Sequence, residues 1–331
     1  KYIYGCEYMI VGIETTAHTF GVGVVNNGKI LANVKDMYKP ISGGIIPNKS
    51  AEHHKLVAET VWFDALSKAG CSDKDISAIA VSNAPGLAPC LHAGLNFAKE
   101  KARLLNVPIV PVNHCIAHLE IGQSVGASDP VLLYASGANT QVIAYASGKY
   151  RVFGETLDLG VGNFIDTFGR HVGIPFPAGP VLEGKAKNGK YINELPYSIK
   201  GMDVSFSGMQ TKMKQLYEKG YSVEDLAFSM QETAFVMLVE ASERALAHTG
   251  KNELVLGGGV ACNSRLQEMC RLMCESRGVK MFCPAKEFLV DNGAMIAYTG
   301  ELLFNSGIKM KPEDVDINSR ERTDMVDVKW K

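Results

Sequence analysis

The chain has 331 residues, 46% of them hydrophobic, which is enough to bury a large core and favours two lobes or domains over one. Its 34 Lys and Arg against 35 Asp and Glu leave a net charge of -1, so no global positive field draws in nucleic acid and any RNA contact must be local or shared. The eight Cys are scattered without a CxxC pair, which argues against a disulfide scaffold and fits a reducing cytoplasm. No apolar run reaches the roughly 18 residues of a membrane span, and the N-terminus lacks the layout of a signal peptide.

In chain order, KYIYGCEY (residues 1–8) precedes Met9 and reads as an N-terminal extension. The run MIVGI, followed by GVGVVNNGKILANV with its Asn-Asn-Gly turn, predicts three antiparallel strands over residues 9–36. From Ser50 an amphipathic helix is expected, with Leu56, Val57, Val61 and Leu66 on its apolar face and Gly70 just past its end. ISAIAVS then reads as a strand, GLAPCLHAGLNFAKEKARLL as a helix and VPIVPV as a strand, the alternation of an α/β fold. A shift of 120 positions lays IVGIETTAHTFGVGVVNNGK over PVLLYASGANTQVIAYASGK without a gap, so that Gly28 falls on Gly148 and Lys29 on Lys149. A duplication of this kind implies two similar lobes with small-residue turns where backbone N–H groups can meet phosphates. Residues 185–219 carry seven Lys against three acidic residues and form the one basic segment, either a solvated insertion or a contact for phosphate or RNA. The stretch from Val223 to Gly250 reads as one long helix whose Met230 and Met237 fill core.

Several patterns could carry chemistry. Asn113 is a good N-cap, and it precedes HCIAH, which sets His114 and His118 one helical turn apart; they are either a metal-binding pair or two separately satisfied histidines. A zinc peptidase would need Glu where Cys115 stands. The turn YASGANT offers Ala135, Ser136, Gly137 and Ala138 for close backbone approach of a ligand, without the Lys of a Walker loop. Gly257, Gly258 and Gly259 lie between a strand and a helix whose N-terminus would attract an anion, although the spacing is not GxGxxG. Asp166 and Asp291 stand beside small residues, and Asp291 also reads as the N-cap of an apolar helix. Glu183 lies four residues beyond Gly179, where a helix could begin.

Taken together, the blocks ETTAHTFGVGVV, GGIIPNKSAEHH, APGLAPCLHAG, VNHCIAHLEIG, YASGANTQV, GNFIDTFGRHVG, KGMDVSFSG, GGGVACNSRL and VDNGAMIAY resemble, in order, the TsaD/OSGEP family of tRNA threonylcarbamoyladenosine transferases. The resemblance runs from about Met9 to the end and is to the archaeal and eukaryotic branch that works within the KEOPS complex. It implies a duplicated two-lobed α/β fold of the actin, sugar-kinase and heat-shock chaperone superfamily with a central nucleotide cleft. The expected division is lobe I over 9–126 plus 303–325 and lobe II over 127–302. It further implies that His114, His118, Tyr134 and Asp291 hold one divalent metal, iron by the family's habit, with zinc or magnesium as alternatives. The turn 134–138 (Tyr134, Ala135, Ser136, Gly137, Ala138), Asp166, Gly179, Glu183 and Asn263 would contact an adenylate, ATP or threonylcarbamoyl-AMP. Implied partners are tRNA and KEOPS-type subunits, including a small atypical protein kinase and a small dimerising subunit, with a cytoplasmic location and no membrane.

Three residues depart from the family pattern: Ala138 where Gly is usual, Thr167 where Lys is common, and Thr15 where archaeal relatives often carry Gly. The expected activity is transfer of threonylcarbamoyl from its adenylate to the exocyclic amine of the tRNA adenosine beside the anticodon. Two rivals use the same fold: a small-molecule kinase, for which Asp166 is the candidate base, and a non-catalytic ATP-dependent assembly subunit.

Overall fold

The first hairpin follows from its turn residues. Asn27 and Gly28 adopt φ values of 50° and 73°, the left-handed pair that a two-residue turn requires, and they join β2 (Thr19–Asn26) to β3 (Lys29–Met37). With β1 (Met9–Glu14), these make the expected antiparallel set. The computed structural model describes residues 8–40 and 44–331, so the extension read at residues 1–8 lies, apart from Tyr8, outside the described residues.

Two compact units result, the first built from residues 8–40, 45–124 and 291–331, the second from residues 44 and 125–290. In the first unit the hairpin leads to α1 (Pro47–Ala69), which has Pro at its start and ends on left-handed Gly70, whose N–H returns to Leu66 and Ser67 carbonyls. Ala58, Val61, Trp62 and Leu66 are its buried face. Leu56, expected on that face, is 81% exposed, because it falls on the opposite side of the helix from the buried Ala58 and Ala65. The chain continues through β4 (Ile76–Ala84), α2 (Ala88–Leu105), β5 (Ile109–Asn113) and α3 (His114–Glu120). The sheet order is β3-β2-β1-β4-β5, with β1, β4 and β5 parallel.

The second unit repeats the plan. Its strands β6 (Val131–Ala135), β7 (Thr140–Ala146) and β8 (Lys149–Glu155) pair antiparallel, and the β7–β8 turn again uses two left-handed residues, Ser147 at 52° and Gly148 at 78°. The 120-residue shift thus aligns real hairpins. After α4 (Val161–His171) and α5 (Gly179–Ala186) comes a two-residue pair, β9 (Ile199–Lys200) and β10 (Asp203–Val204), then α6 (Ser207–Glu218). The basic segment is therefore partly ordered as helix and hairpin, and two of its lysines are paired, Lys185 with Glu224 and Lys212 with Glu194. α7 (Val223–Thr249) is the expected long helix, with Met230 and Met237 buried in the core. Next come β11 (Glu253–Gly257), α8 (Ser264–Arg277), β12 (Lys280–Phe282) and α9 (Lys286–Leu289). The second sheet runs β8-β7-β6-β11-β12, the same order of strand types as the first, with β6, β11 and β12 parallel.

The last helix, α10 (Gly293–Asn305), returns to the first unit and lies on β1 and β2. It can do so because the facing positions lack side chains. A Cβ on Gly12 would stand 2.1 Å from the Ala297 nitrogen, and one on Gly293 would stand 2.3 Å from the Gly23 nitrogen. Backbone therefore packs on backbone, as only glycine permits. This moves the boundary expected at residue 302 back to Asp291, since α10 is apolar on nearly every face and the glycine-lined strands of the first unit bury it.

Candidate functional site

The first cluster is assembled entirely within the first unit. β5 ends at Asn113, whose Oδ1 accepts from the backbone N–H groups of Cys115 (3.0 Å) and Ile116 (3.2 Å), capping α3 as expected. The cap is itself held, since Asn113 Nδ2 donates to Glu321 at 2.8 Å. Starting the helix there places His114 and His118 on one face, with ring centroids 4.8 Å apart and planes at 83°. Asn292, not Asp291, is the N-cap of α10, accepting from the Met295 N–H at 2.9 Å. Asp291 is thereby left to turn its carboxylate toward the histidines, with Oδ1 3.3 Å from His114 Nε2 and 3.5 Å from His118 Nε2. One donor atom from each of the three lies within 4.8 Å of the others, a spacing that could hold a metal ion.

The electrostatics agree with that reading. Burial pushes the Asp291 carboxyl upward, but the two imidazoles outweigh it and hold the group well below the usual carboxylate range. Burial likewise lowers His118, which is fully buried, so it is held neutral with a lone pair for a ligand bond. Two imidazoles and one carboxylate are the donor set of a borderline ion such as iron or zinc, and suit magnesium poorly because that ion prefers oxygen. Behind His114 lies Glu14, wholly buried at the end of β1, with Oε2 2.9 Å from His114 Nδ1. Sequence reasoning passed over Glu14; the available signal was a carboxylate placed directly after the buried run MIVGI.

Tyr134, expected as a fourth ligand, is a buried residue of β6 and belongs to the second unit, whereas Asp291, expected in the second lobe, belongs to the first. His114, His118 and Asp291 are therefore on one unit.

The second cluster lies in the second unit, at the carboxyl ends of β6 and β11, where open α/β sheets present ligand sites. The turn after β6 is fastened to the start of α4: Gly162 N–H donates to the Ser136 carbonyl at 3.0 Å and Asn163 N–H to that of Gly137 at 2.9 Å. Gly258, at a φ of 89°, packs so closely that a Cβ there would sit 2.3 Å from the Ala135 oxygen. Asp166 on α4 accepts from the Ala178 N–H at 2.8 Å, fixing the residue before Gly179 and the start of α5. Glu183 on α5 accepts from the backbone N–H of Ser264 at 2.8 Å, next to Asn263. Asn263 Oδ1 caps α8 by accepting from Arg265 and Leu266, which directs its amide donors away from the helix. Asp166, Gly179, Glu183 and Asn263 are thus linked through α4, α5 and the start of α8. Ala138 is exposed, and Thr167 accepts from Arg170 at 3.0 Å.

Comparison with known proteins places these clusters in context. A family model described as TsaD, tRNA N6-adenosine threonylcarbamoyltransferase, matches residues 29–298. The tRNA N6-adenosine threonylcarbamoyltransferase of Thermococcus kodakarensis is 52% identical over 321 residues, covering 97% of this chain and 99% of that protein. The probable bifunctional tRNA threonylcarbamoyladenosine biosynthesis protein of Methanosarcina acetivorans is 50% identical over 325 residues, covering 97% of this chain and 59% of that longer protein. Among solved structures, HypF from T. kodakarensis superposes with a TM-score of 0.66 at 16% identity, over 93% of this chain and 49% of that one. An activator of 2-hydroxyisocaproyl-CoA dehydratase from Clostridium difficile, with bound ADPNP, gives 0.56 at 14% identity over 94% and 99% of the two chains. At such identities the structural likeness establishes the shared actin-like fold.

Proposed function

Because this chain belongs to the TsaD family of tRNA N6-adenosine threonylcarbamoyltransferases, we infer that it moves a threonylcarbamoyl group from threonylcarbamoyl-AMP to the exocyclic amine of the tRNA adenosine beside the anticodon. The observation that carries this reading is identity of 52% across nearly the whole of both chains; it is supported by the His114, His118 and Asp291 group, which could hold a metal ion, and by the bonds of Asp166 to Ala178 and of Glu183 to Ser264 beside Asn263. In the reaction the bond from carbamoyl carbon to phosphate oxygen breaks, the bond to the adenosine nitrogen forms, and that nitrogen gives up a proton as AMP leaves.

The carboxylates of Asp166 and Glu183 are suited to ribose or adenine donors, and the amide of Asn263 supplies further donors at the same edge. Backbone N–H groups of the 134–138 turn are suited to the phosphate. We assign the metal as iron(II), with zinc the alternative, held by His114, His118 and Asp291 and, in our proposal, Tyr134. When bound, such an ion supplies electrostatic stabilisation of the charge that develops on the carbonyl and phosphate oxygens. A thiol nucleophile receives no support at this site, since burial raises the pKa of Cys115 beside the His pair. With a net charge of -1, tRNA binding fits a chain that shares basic surface with KEOPS-type subunits in the cytoplasm, among them a small kinase and a small dimerising subunit.

The test is incubation with tRNA, threonine, bicarbonate, ATP, an adenylate-forming enzyme and partner subunits, followed by nucleoside analysis. Threonylcarbamoyladenosine should form only when this chain is present. Its formation at an equal rate without the chain would overturn the assignment.

A further inference from the structure

We propose that Glu14 is a positioning residue for the metal site, fixing His114 in the tautomer that carries its proton on Nδ1 and so aims the Nε2 lone pair at the shared ligand position. This rests on the reading of His114, His118 and Asp291 as a metal site. Glu14 is wholly buried, a placement that costs several kcal/mol unless the carboxylate is paired and hydrogen-bonded. Its two oxygens divide the work. Oε1 accepts from the backbone N–H of Thr16 at 2.7 Å and from its hydroxyl at 2.5 Å, and Oε2 faces His114 Nδ1 at 2.9 Å. A carboxylate can only accept, so the proton between Oε2 and the ring belongs to Nδ1. The other ring nitrogen, Nε2, stands 3.3 Å from Asp291 and, with Nδ1 keeping its proton, is the one left to give its lone pair to a cation bound there. Partners of this kind orient a ligating imidazole and raise its basicity.

Thr16 makes the arrangement directional. Both of its donors point at Oε1, and the backbone N–H cannot turn away. In Glu14→Gln the amide oxygen must therefore take the Thr16 side, leaving the NH2 group against His114 Nδ1. An N–H facing Nδ1 drives the ring proton to Nε2, the atom the metal needs. The substitution keeps size, burial and the Thr16 contacts, so a purely structural role for Glu14 would survive it.

The experiment titrates the full chain, stripped with chelator, with Co2+ and follows its visible absorption. Glu14→Gln should bind Co2+ about 10–100-fold more weakly than wild type. Its melting temperature in chelator should match wild type, and ring 15N spectra of the stripped protein, recorded where the His114 ring carries a single proton, should show that proton moved from Nδ1 to Nε2. Glu14→Gln affinity within about twofold of wild type, with binding abolished in His118→Ala, overturns the positioning role and leaves the metal site standing. Wild type that binds no Co2+, or His118→Ala that binds as wild type does, overturns the site and this role with it. If Glu14→Gln does not fold, Thr16→Val carries the test by removing the hydroxyl that holds Oε1 and also stands 3.3 Å from His114 Nδ1: a severalfold loss of affinity supports the role, and an unchanged one overturns it.

Discussion

Substituting Gly23 by Ala should damage the metal cluster from a distance, because Gly23 is one of the positions that let α10 rest on the sheet. An added Cβ would stand 2.3 Å from the Ala294 nitrogen, 2.4 Å from its Cα and 2.5 Å from the Gly293 carbonyl carbon, all of them backbone. Ordinary contact begins at 3.4 Å, so the first turn of α10 must retreat by roughly an ångström, since close-packed backbone cannot deform locally. Overpacking of this kind costs about 1–3 kcal/mol. Asp291 lies two residues before that turn and moves with it, whereas metal–ligand distances tolerate only about 0.2 Å. We expect a Co2+ affinity at least tenfold lower. Gly28→Ala is the control: nothing lies within 4 Å of its added Cβ, and it pays only for a backbone φ of 73°, about 1–2 kcal/mol. Denaturant melts with parallel Co2+ titrations should show similar stability losses in the two variants but weakened binding only in Gly23→Ala. Gly23→Ala with wild-type affinity and stability within about 0.5 kcal/mol of wild type would refute the argument that α10 sets the Asp291 position.

Three further outcomes follow from the same geometry. Chelator should lower the melting temperature of wild type, since an ion at 100 times its dissociation constant adds about 2.7 kcal/mol, while Asp291→Ala should carry little metal and show no chelator effect; equal metal content by elemental analysis would count against the cluster. Ala at Asp166, Glu183 or Asn263 should weaken ATP binding by about 1–3 kcal/mol in calorimetry with metal content unchanged, and Asn263→Ala should lose a further stability of about 1 kcal/mol as the α8 cap goes; wild-type ATP affinity in all three would remove the cradle. His54 is lowered from 6.5 to about 4 by burial, against the opposing hydrogen bond to the Ala17 carbonyl. A depressed histidine contributes stability that is complete above its unfolded pKa and lost as pH falls toward the folded one, so wild type should lose about 3 kcal/mol more than His54→Gln between pH 6.5 and 4. Parallel pH dependences of the two in urea melts would show that His54 is not buried neutral.

Much of this molecule could be read locally. The left-handed pair at Asn27 and Gly28, the cap at Gly70 and the N-cap at Asn113 are chemical necessities of short segments, and each stands where its residue type predicts. The 120-residue repeat was legible for the same reason, because hairpin strands and their turn are contiguous in the chain and their register is set within it. The identity of the ligating residues was legible only through resemblance; the spacing of His114 and His118 by itself left two readings open. Tertiary structure decided what local rules could not. It gave the α10 cap to Asn292 and so released Asp291, showed Leu56 to be on the solvent side of α1, and returned residues 291–302 to the first unit. It also brought Glu14 to His114 across 100 positions of sequence. Contacts of that separation depend on which strands become neighbours and how closely their backbones approach. For Asp291 the corresponding approach is that of α10 to the sheet, set by Gly12, Gly23 and Gly293, whose importance lies in atoms they lack and is visible only once the partner backbone is in place.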